Sequence, residues 1–195
     1  NPLFTIGSHL RELHARLGGP RQERERAVRQ ALEAVGIPPD RVFRGGSSTS
    51  ADGTVFFPNI PTEEVFSTPD MNSTTGRAAC TRPVTVMGAC VEEAWFVFEN
   101  GRVTDYGAGT NREILGKYLE TDPGASRLGE MALVGTDSPI YRSGLVFHNI
   151  LFDENAACHI ALGNGYTDCL QGGTGMSPEE LTAAGCNQSL VHTDF

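Results

Sequence analysis

The chain of 195 residues contains no apolar run near the roughly 18 residues that a membrane-crossing helix requires, so no membrane partner is expected. Basic residues are scarce: 15 Lys and Arg stand against 24 Asp and Glu, a formal charge of -9. Binding a nucleic-acid backbone needs clustered cations, so nucleic acid is excluded as a principal partner. Cysteine is confined to Cys80, Cys90, Cys158, Cys169 and Cys186, odd in number and without a CxxC pair. That argues against a disulfide framework or zinc ribbon, and for free thiols in a reducing cytoplasm. Cys158, although beside His159, is expected to be a small buried apolar residue rather than a nucleophile. The start shows neither the basic nor the apolar region of a signal peptide, and an opening at Asn1 suggests a processed product or a cut piece.

What is present is an ordinary globular composition, 39% hydrophobic and 20% charged, with ample material for a core. Ile6, Leu10, Leu13 and Leu17 predict a helix over 5–17, and Pro20 opens a second that Gly36 and Pro38 end. His9 and His14 fall on these helices, where surface or capping roles are expected. Residues 45–53 read as a loop, with Asp52-Gly53 turning into the strand TVFF. The pattern then stays strand-like to residue 109, and Asn100-Gly101 signals a type I′ hairpin. Thr110 with Glu113 predicts a capping box for the helix NREILGKYLE, and Ser177 with Glu180 a second, whose helix Gly185 stops. GEMALV and SLVHTDF read as strands. The expected fold class is α+β: a strand-rich body, largely antiparallel sheet or barrel, with two short helices behind a helical lead-in. We place the lead-in at 1–45, as the remnant of a neighbouring domain, and a metal-binding catalytic domain at 46–195.

Several polar residues sit where a core would not want them. His192 and Asp194 in LVHTDF are two apart, which on a strand puts both on one face and Val191, Thr193 and Phe195 on the other. Glu130 lies in the apolar LGEMALV, where Gly129 leaves room for something to approach the backbone. Glu63 and Glu64 adjoin Val65 and Phe66, so one of the two should point inward. In LFDENAACHIALGNGY, Glu154 and His159 are five apart and would diverge on a helix or a flat strand; either both serve one site across a bend, or only His159 does. Carboxylates clustered without a cation repel, and divalent ions remove that penalty. An oxygen and nitrogen ligand set suits zinc, cobalt or manganese. The six candidates Glu64, Glu130, Glu154, His159, His192 and Asp194 exceed what one hydrolytic ion needs, so two ions sharing a carboxylate is the economical reading.

NIPTEEVFSTPD, LGEMALV, LFDENAACHIALGNGY and NQSLVHTDF resemble, in order and separation, the signature segments of the aminopeptidase T family, with aminopeptidase S and PepS as relatives. The resemblance runs from about Asp52 to Phe195. It implies that Glu64, Glu130, His159, His192 and Asp194 hold a pair of metal ions, with Glu130 bridging and Glu154 a further ligand. It also implies an active-site tyrosine at Tyr166, zinc or cobalt as metal, a cytoplasmic homodimer, and release of N-terminal residues from peptides. Members of that family carry a large domain before this region and continue beyond the HxDF segment, so a fragment of the catalytic half is expected.

The mechanism expected is hydrolysis of a peptide with a free N-terminus by metal-activated water. Glu63 is the choice for general base, since it adjoins a ligand without having to bind metal. Tyr166 either donates a hydrogen bond to the tetrahedral oxyanion or packs against Gly163 and Gly165. A two-metal phosphoesterase would use similar ligands but should offer cations near them, and only Arg127 lies within a few residues of one. The remaining alternative is a non-catalytic, metal-stapled domain.

Overall fold

The computed structural model describes residues 40–195 apart from residue 59, together with Pro20, Arg26 and Pro38. The two helices expected over 5–17 and from Pro20 onward, with His9 and His14, lie outside the described residues, apart from Pro20 and Arg26. Eleven strands run through the rest: β1 (Ser48–Thr49), β2 (Val55–Phe56), β3 (Glu64–Ser67), β4 (Gly76–Ala79), β5 (Val84–Val86), β6 (Ala89–Val91), β7 (Trp95–Glu99), β8 (Arg102–Gly107), β9 (Leu128–Val134), β10 (His159–Gly163) and β11 (His192–Asp194). Four short α-helices intervene: α1 (Arg112–Leu119), α2 (Pro139–Ser143), α3 (Ile150–Asp153) and α4 (Pro178–Ala183). The strands form four separate antiparallel sheets, the largest with order β11-β10-β9-β3. The body is therefore strand-rich and antiparallel as expected, in sheets rather than a barrel.

The local signals succeed where side chain and backbone agree. Asn100 and Gly101 both take positive φ, 50 and 78, and join β7 to β8 as the type I′ reading requires. Ser177 and Glu180 complete their capping box. Thr110 does not: α1 starts after Asn111 in the left-handed region without a side-chain cap. The Thr110 hydroxyl instead accepts from the Glu92 amide and donates to the Cys90 carbonyl, so a tertiary partner outcompetes the local cap. Two helices went unexpected, α2 and α3, each too short for a periodic pattern but capped by Ser138 and Asn149. Within the expected 45–53 loop, β1 pairs with β2 across the Asp52-Gly53 turn.

The core gathers Phe96, Phe98, Val86, Val91, Leu115 and Tyr118 against Leu128 and Leu162 on the back of the large sheet. Tyr118 lies fully inside, and its hydroxyl donates to the Leu162 carbonyl at 2.6 Å, joining α1 to β10. Val191 and Phe195 pack on the same core, so the alternation expected around β11 holds. Cys158 is the exception among the cysteine expectations. It is exposed, just before β10, where its thiol contacts the amide and carbonyl of Val134 at the end of β9.

Candidate metal centre

Register explains why the polar residues meet. Glu130 pairs with Ala161, and Ala161 with Asp194, so the three lie in one row across β9, β10 and β11. Directly opposed residues share a face, and steps of two along each strand keep it. His192 is opposite Gly163, His159 opposite Ala132, Ala132 opposite Phe66, and Glu64 opposite Val134. All five polar side chains consequently rise from one face of the sheet. Small residues at Ala132, Ala161 and Gly163 leave the space between them open.

A register shift between Ala161 and Leu162 passes over Gly129, placing Leu128 on the core face and Glu130 on the site face. A Cβ at Gly129 would collide with the Asn164 carbonyl oxygen. That carbonyl is the approach for which the glycine leaves room, and it accepts from His192 Nδ1 at 2.7 Å. His159 Nδ1 likewise donates to the Ala157 carbonyl at 3.0 Å. Each imidazole is thus held by Nδ1, and its Nε2 is turned toward carboxylates. His159 Nε2 lies 3.1 Å from Glu64 Oε2 and 3.9 Å from Asp194 Oδ1. His192 Nε2 lies 3.1 Å from Glu130 Oε2 and 3.5 Å from Asp194 Oδ1.

Two groups of ligand atoms result, each within 4.8 Å: Glu64, Glu130 and His159, and Glu130, His192 and Asp194. Glu130 belongs to both and is only 2% exposed. The donor set passes a chemical test for a divalent ion. Glu64 Oε2 is shut off from solvent and, despite its short contact with His159, accepts no aligned hydrogen bond. Backbone carbonyls already hold the Nδ1 side of both rings, as metal-binding imidazoles require.

Without a cation the cluster recruits protons. Burial pushes the Glu130 carboxyl upward, helped by Asp194 and Glu64 and opposed by its hydrogen bond with His192. Burial, then the charges of Glu64 and Asp194, push Glu154 to about 8. Burial disfavours the His159 imidazolium, but Glu64 and Asp194 more than offset it and raise the ring to about 9. The same opposition, with Asp194 and Glu130 prevailing over burial, takes His192 to about 10.

Glu154 lies in a single 3-10 turn, Glu154–Ala156, between α3 and β10. Of the two readings the spacing left open, the structure has the bend, and Glu154 interacts with Glu64, Asp194, His159 and Glu130 while standing outside both ligand groups. Tyr166 joins the cluster from the loop after β10. Its hydroxyl is 3.4 Å from His192 Nε2, and its ring packs edge-on against that imidazole at 5.1 Å and tilted against Phe66 at 4.9 Å. Burial followed by the Glu130 and Asp194 charges pushes its hydroxyl pKa well up. Glu64, Glu130, Glu154, Tyr166, His192 and Asp194 all line an open cleft of about 810 Å³. Glu63 is not brought to the cluster: it is exposed and outside the cleft wall, and its amide donates to Asn155 Oδ1 at 2.6 Å.

Three supporting residues escaped the sequence reading. Asn155, 0% exposed, ties the entry to β3 to the Glu154 turn, since its side chain also donates to the Leu151 carbonyl at 3.1 Å. Thr68 accepts from the Tyr166 amide at 2.7 Å and donates to its carbonyl at 3.2 Å, and so fixes the tyrosine. Asn164 supplies the carbonyl under His192. Asn155 had a signal in its place beside Glu154; Asn164, acting through its backbone carbonyl, and Thr68, whose hydroxyl meets the backbone of a residue 98 positions away, had none.

The donor set is one that could hold metal ions on carboxylates and imidazoles. Comparison with known proteins narrows the reading. The family described as thermophilic metalloprotease (M29) matches residues 28–195. The chain is 47% identical over 161 residues to aminopeptidase 2 of Geobacillus stearothermophilus, covering 83% of this chain and 39% of that one. It is 40% identical over 199 residues to aminopeptidase T of Thermus aquaticus, covering 100% of this chain and 48% of the relative. Among solved structures it is similar to wild-type AmpT from Thermus thermophilus, with a TM-score of 0.76 at 34% identity, over 91% of this chain and 53% of that chain. The chain belongs to the M29 metalloprotease family. It spans less than half the length of the curated relatives it matches. Among the described residues, no helix is long and apolar enough to cross a membrane.

Proposed function

We propose that this chain carries the metal-binding half of an aminopeptidase that removes N-terminal residues from peptides. The observation that carries the reading is the pair of ligand groups sharing Glu130 on one sheet face. Glu64 and His159 would hold one ion, His192 and Asp194 the other, with Glu130 common to both and Glu154 beside them, outside either ligand group and left as a base rather than the further ligand the sequence suggested. Zinc or cobalt, with manganese as a substitute, fits the oxygen and nitrogen donors. When bound, the ions supply Lewis-acid chemistry, polarising a carbonyl and making a water acidic enough to act near neutral pH.

The protein's own side chains do the rest. The open cleft takes the peptide, and the cluster at its floor orients the scissile carbonyl. Tyr166, locked by Thr68, presents its hydroxyl over His192 and donates to the oxyanion that develops on the carbonyl. Its raised pKa keeps that hydroxyl protonated, as a donor must be. The proton released by water is assigned to Glu154 in place of Glu63, because Glu154 faces the cleft and Glu63 does not. Residues 46–195 are assigned to this catalytic domain and the preceding segment to a neighbouring one. A cytoplasmic homodimer is the assembly that the family resemblance supports for the whole protein.

The test combines metal titration with turnover of aminoacyl-p-nitroanilides by the metal-loaded chain. Two ions per chain together with turnover are expected. Metal binding without turnover, even when the chain is joined to the remainder of its protein, would reject the enzymatic reading in favour of a metal-stapled domain.

A further inference from the structure

A second, smaller cavity of about 220 Å³ adjoins the same cluster, with His159, Glu154 and Asp194 in its wall. Ile150, Glu154 and Asp194 line this cavity and the large cleft alike, so the two spaces share that edge. An apolar cavity of about 150 Å³ is enough to hold a benzene ring, so this one has room for a leucine-sized or aromatic side chain. It suits one residue of a peptide, where the larger cleft suits a chain.

The charged groups of this wall are engaged elsewhere. The two Asp153 oxygens accept from the amides of Phe147 and Asn149 at 2.9 and 3.1 Å. Arg82 Nη2 donates to the Leu145 carbonyl and its Nε is shut off from solvent, so that edge of the guanidinium offers nothing to an occupant. Glu154 and Asp194 interact with the cluster. Apolar surface makes up much of the rest: Ala79, Pro83 and Val84 where β4 runs over to β5, Ile150 at the start of α3, and Ala157 ahead of β10. Burial pushes the Cys80 thiol among them up to about 11, which keeps it uncharged.

We propose that this cavity receives the apolar side chain of the substrate's N-terminal residue, with Ile150 setting its size, an inference that rests on the aminopeptidase reading above. The negative charge of Asp153, Glu154 and Asp194 beside the cavity favours the end of the peptide that carries the α-ammonium over the residue beyond the scissile bond. Four non-hydrolysable probes with a reduced CH2–NH bond test it, namely Ala-Gly amide, Leu-Gly amide, Lys-Gly amide and Ala-Leu amide, titrated calorimetrically into the zinc-loaded protein. Leu-Gly amide should bind most tightly, about 10- to 100-fold better than Ala-Gly amide, because burial of its additional carbons is what separates the two.

Ile150→Trp should fill the cavity and bring Leu-Gly amide down to the level of Ala-Gly amide, with zinc stoichiometry and melting temperature reporting that the variant folds. If it does not fold, Ile150→Ala decides by itself, since removing that part of the wall should narrow the Leu advantage several-fold. Tightest binding of Lys-Gly amide or Ala-Leu amide, equal binding of all four probes, or a Leu advantage unchanged in the folded variants overturns the pocket, and hydrolysis of the parent peptides leaves the aminopeptidase reading standing. A Leu advantage that Ile150 controls, without hydrolysis of the parent peptides, keeps the pocket as a site for a peptide N-terminus and removes the enzyme. If no probe binds the pocket falls, and the aminopeptidase reading falls with it when the parent peptides are not hydrolysed.

Discussion

His159 and His192 occupy the same predicament. Each is anchored through Nδ1 to a backbone carbonyl and faces carboxylates through Nε2. In the metal-free protein a proton on each ring stands in for the cation. Both folded-state values, about 9 and about 10, lie above the ordinary 6.5. Their protonation therefore stabilises the fold fully below about 6.5, and that contribution is lost as pH rises through the folded values. Glu154, raised to about 8, acts with the same sign, because ionising it in place costs folding free energy. Melting of chelator-treated protein should fall steadily between pH 6.5 and 9, and a saturating divalent ion should flatten the fall by displacing those protons. A metal-free melting temperature that stays level or rises over that range would contradict the assignment. Charge neutralisation separates the acids further. Glu64→Gln and His159→Ala should each lower bound metal, measured by elemental analysis, and abolish turnover with the far-ultraviolet circular dichroism retained. Glu154→Gln should reduce kcat by about 100-fold or more, whereas Glu63→Gln should stay near the parent rate.

At the scale of elements, the site depends on one irregularity. The bulge at Gly129 puts Glu130 on the site face and admits the Asn164 carbonyl that positions His192. Gly129→Ala should therefore weaken metal binding by about 10- to 100-fold, as losses of ligand-orienting contacts do, and lower the melting temperature as well. Calorimetric metal titration and thermal melts read the two effects separately. Asn155 is the other joint, holding the β3 entry and the Glu154 turn to each other. Asn155→Ala leaves the part-buried Glu63 amide and Leu151 carbonyl without their partner and should cost about 1 kcal/mol in denaturant unfolding. The Thr110 region shows why such joints resist local reading: a hydroxyl with a competent capping spacing went to the Cys90 and Glu92 backbone 18 to 20 positions away. Ser177, exposed and without a competing partner across the fold, behaved as its four-residue pattern required.

For the molecule as a whole, the net charge of -9 and the concentration of acids on one sheet face point the same way. The metal-free fold bears a repulsive cluster that binding would relieve, so metal affinity appears directly as folding stability. A divalent ion at about 100 times its dissociation constant should stabilise the native state by about 2.7 kcal/mol per site, with a melting temperature that depends on ion concentration. A melting temperature unmoved by zinc, cobalt or manganese would remove the centre from the account. By itself, the amino-acid sequence determined the local grammar: the Asn100-Gly101 hairpin, the Ser177 cap, the face shared by His192 and Asp194, and the six residues too polar for their surroundings. Each of these follows from neighbours within a few positions. The tertiary structure alone decided which distant residues meet, because that is a matter of register. Placing Glu130, Ala161 and Asp194 in one row, passing over Gly129, and leaving Glu63 outside while Glu154 comes in all depend on pairings between segments tens of residues apart. Side-chain pattern cannot encode those pairings until the strands are packed against a common core.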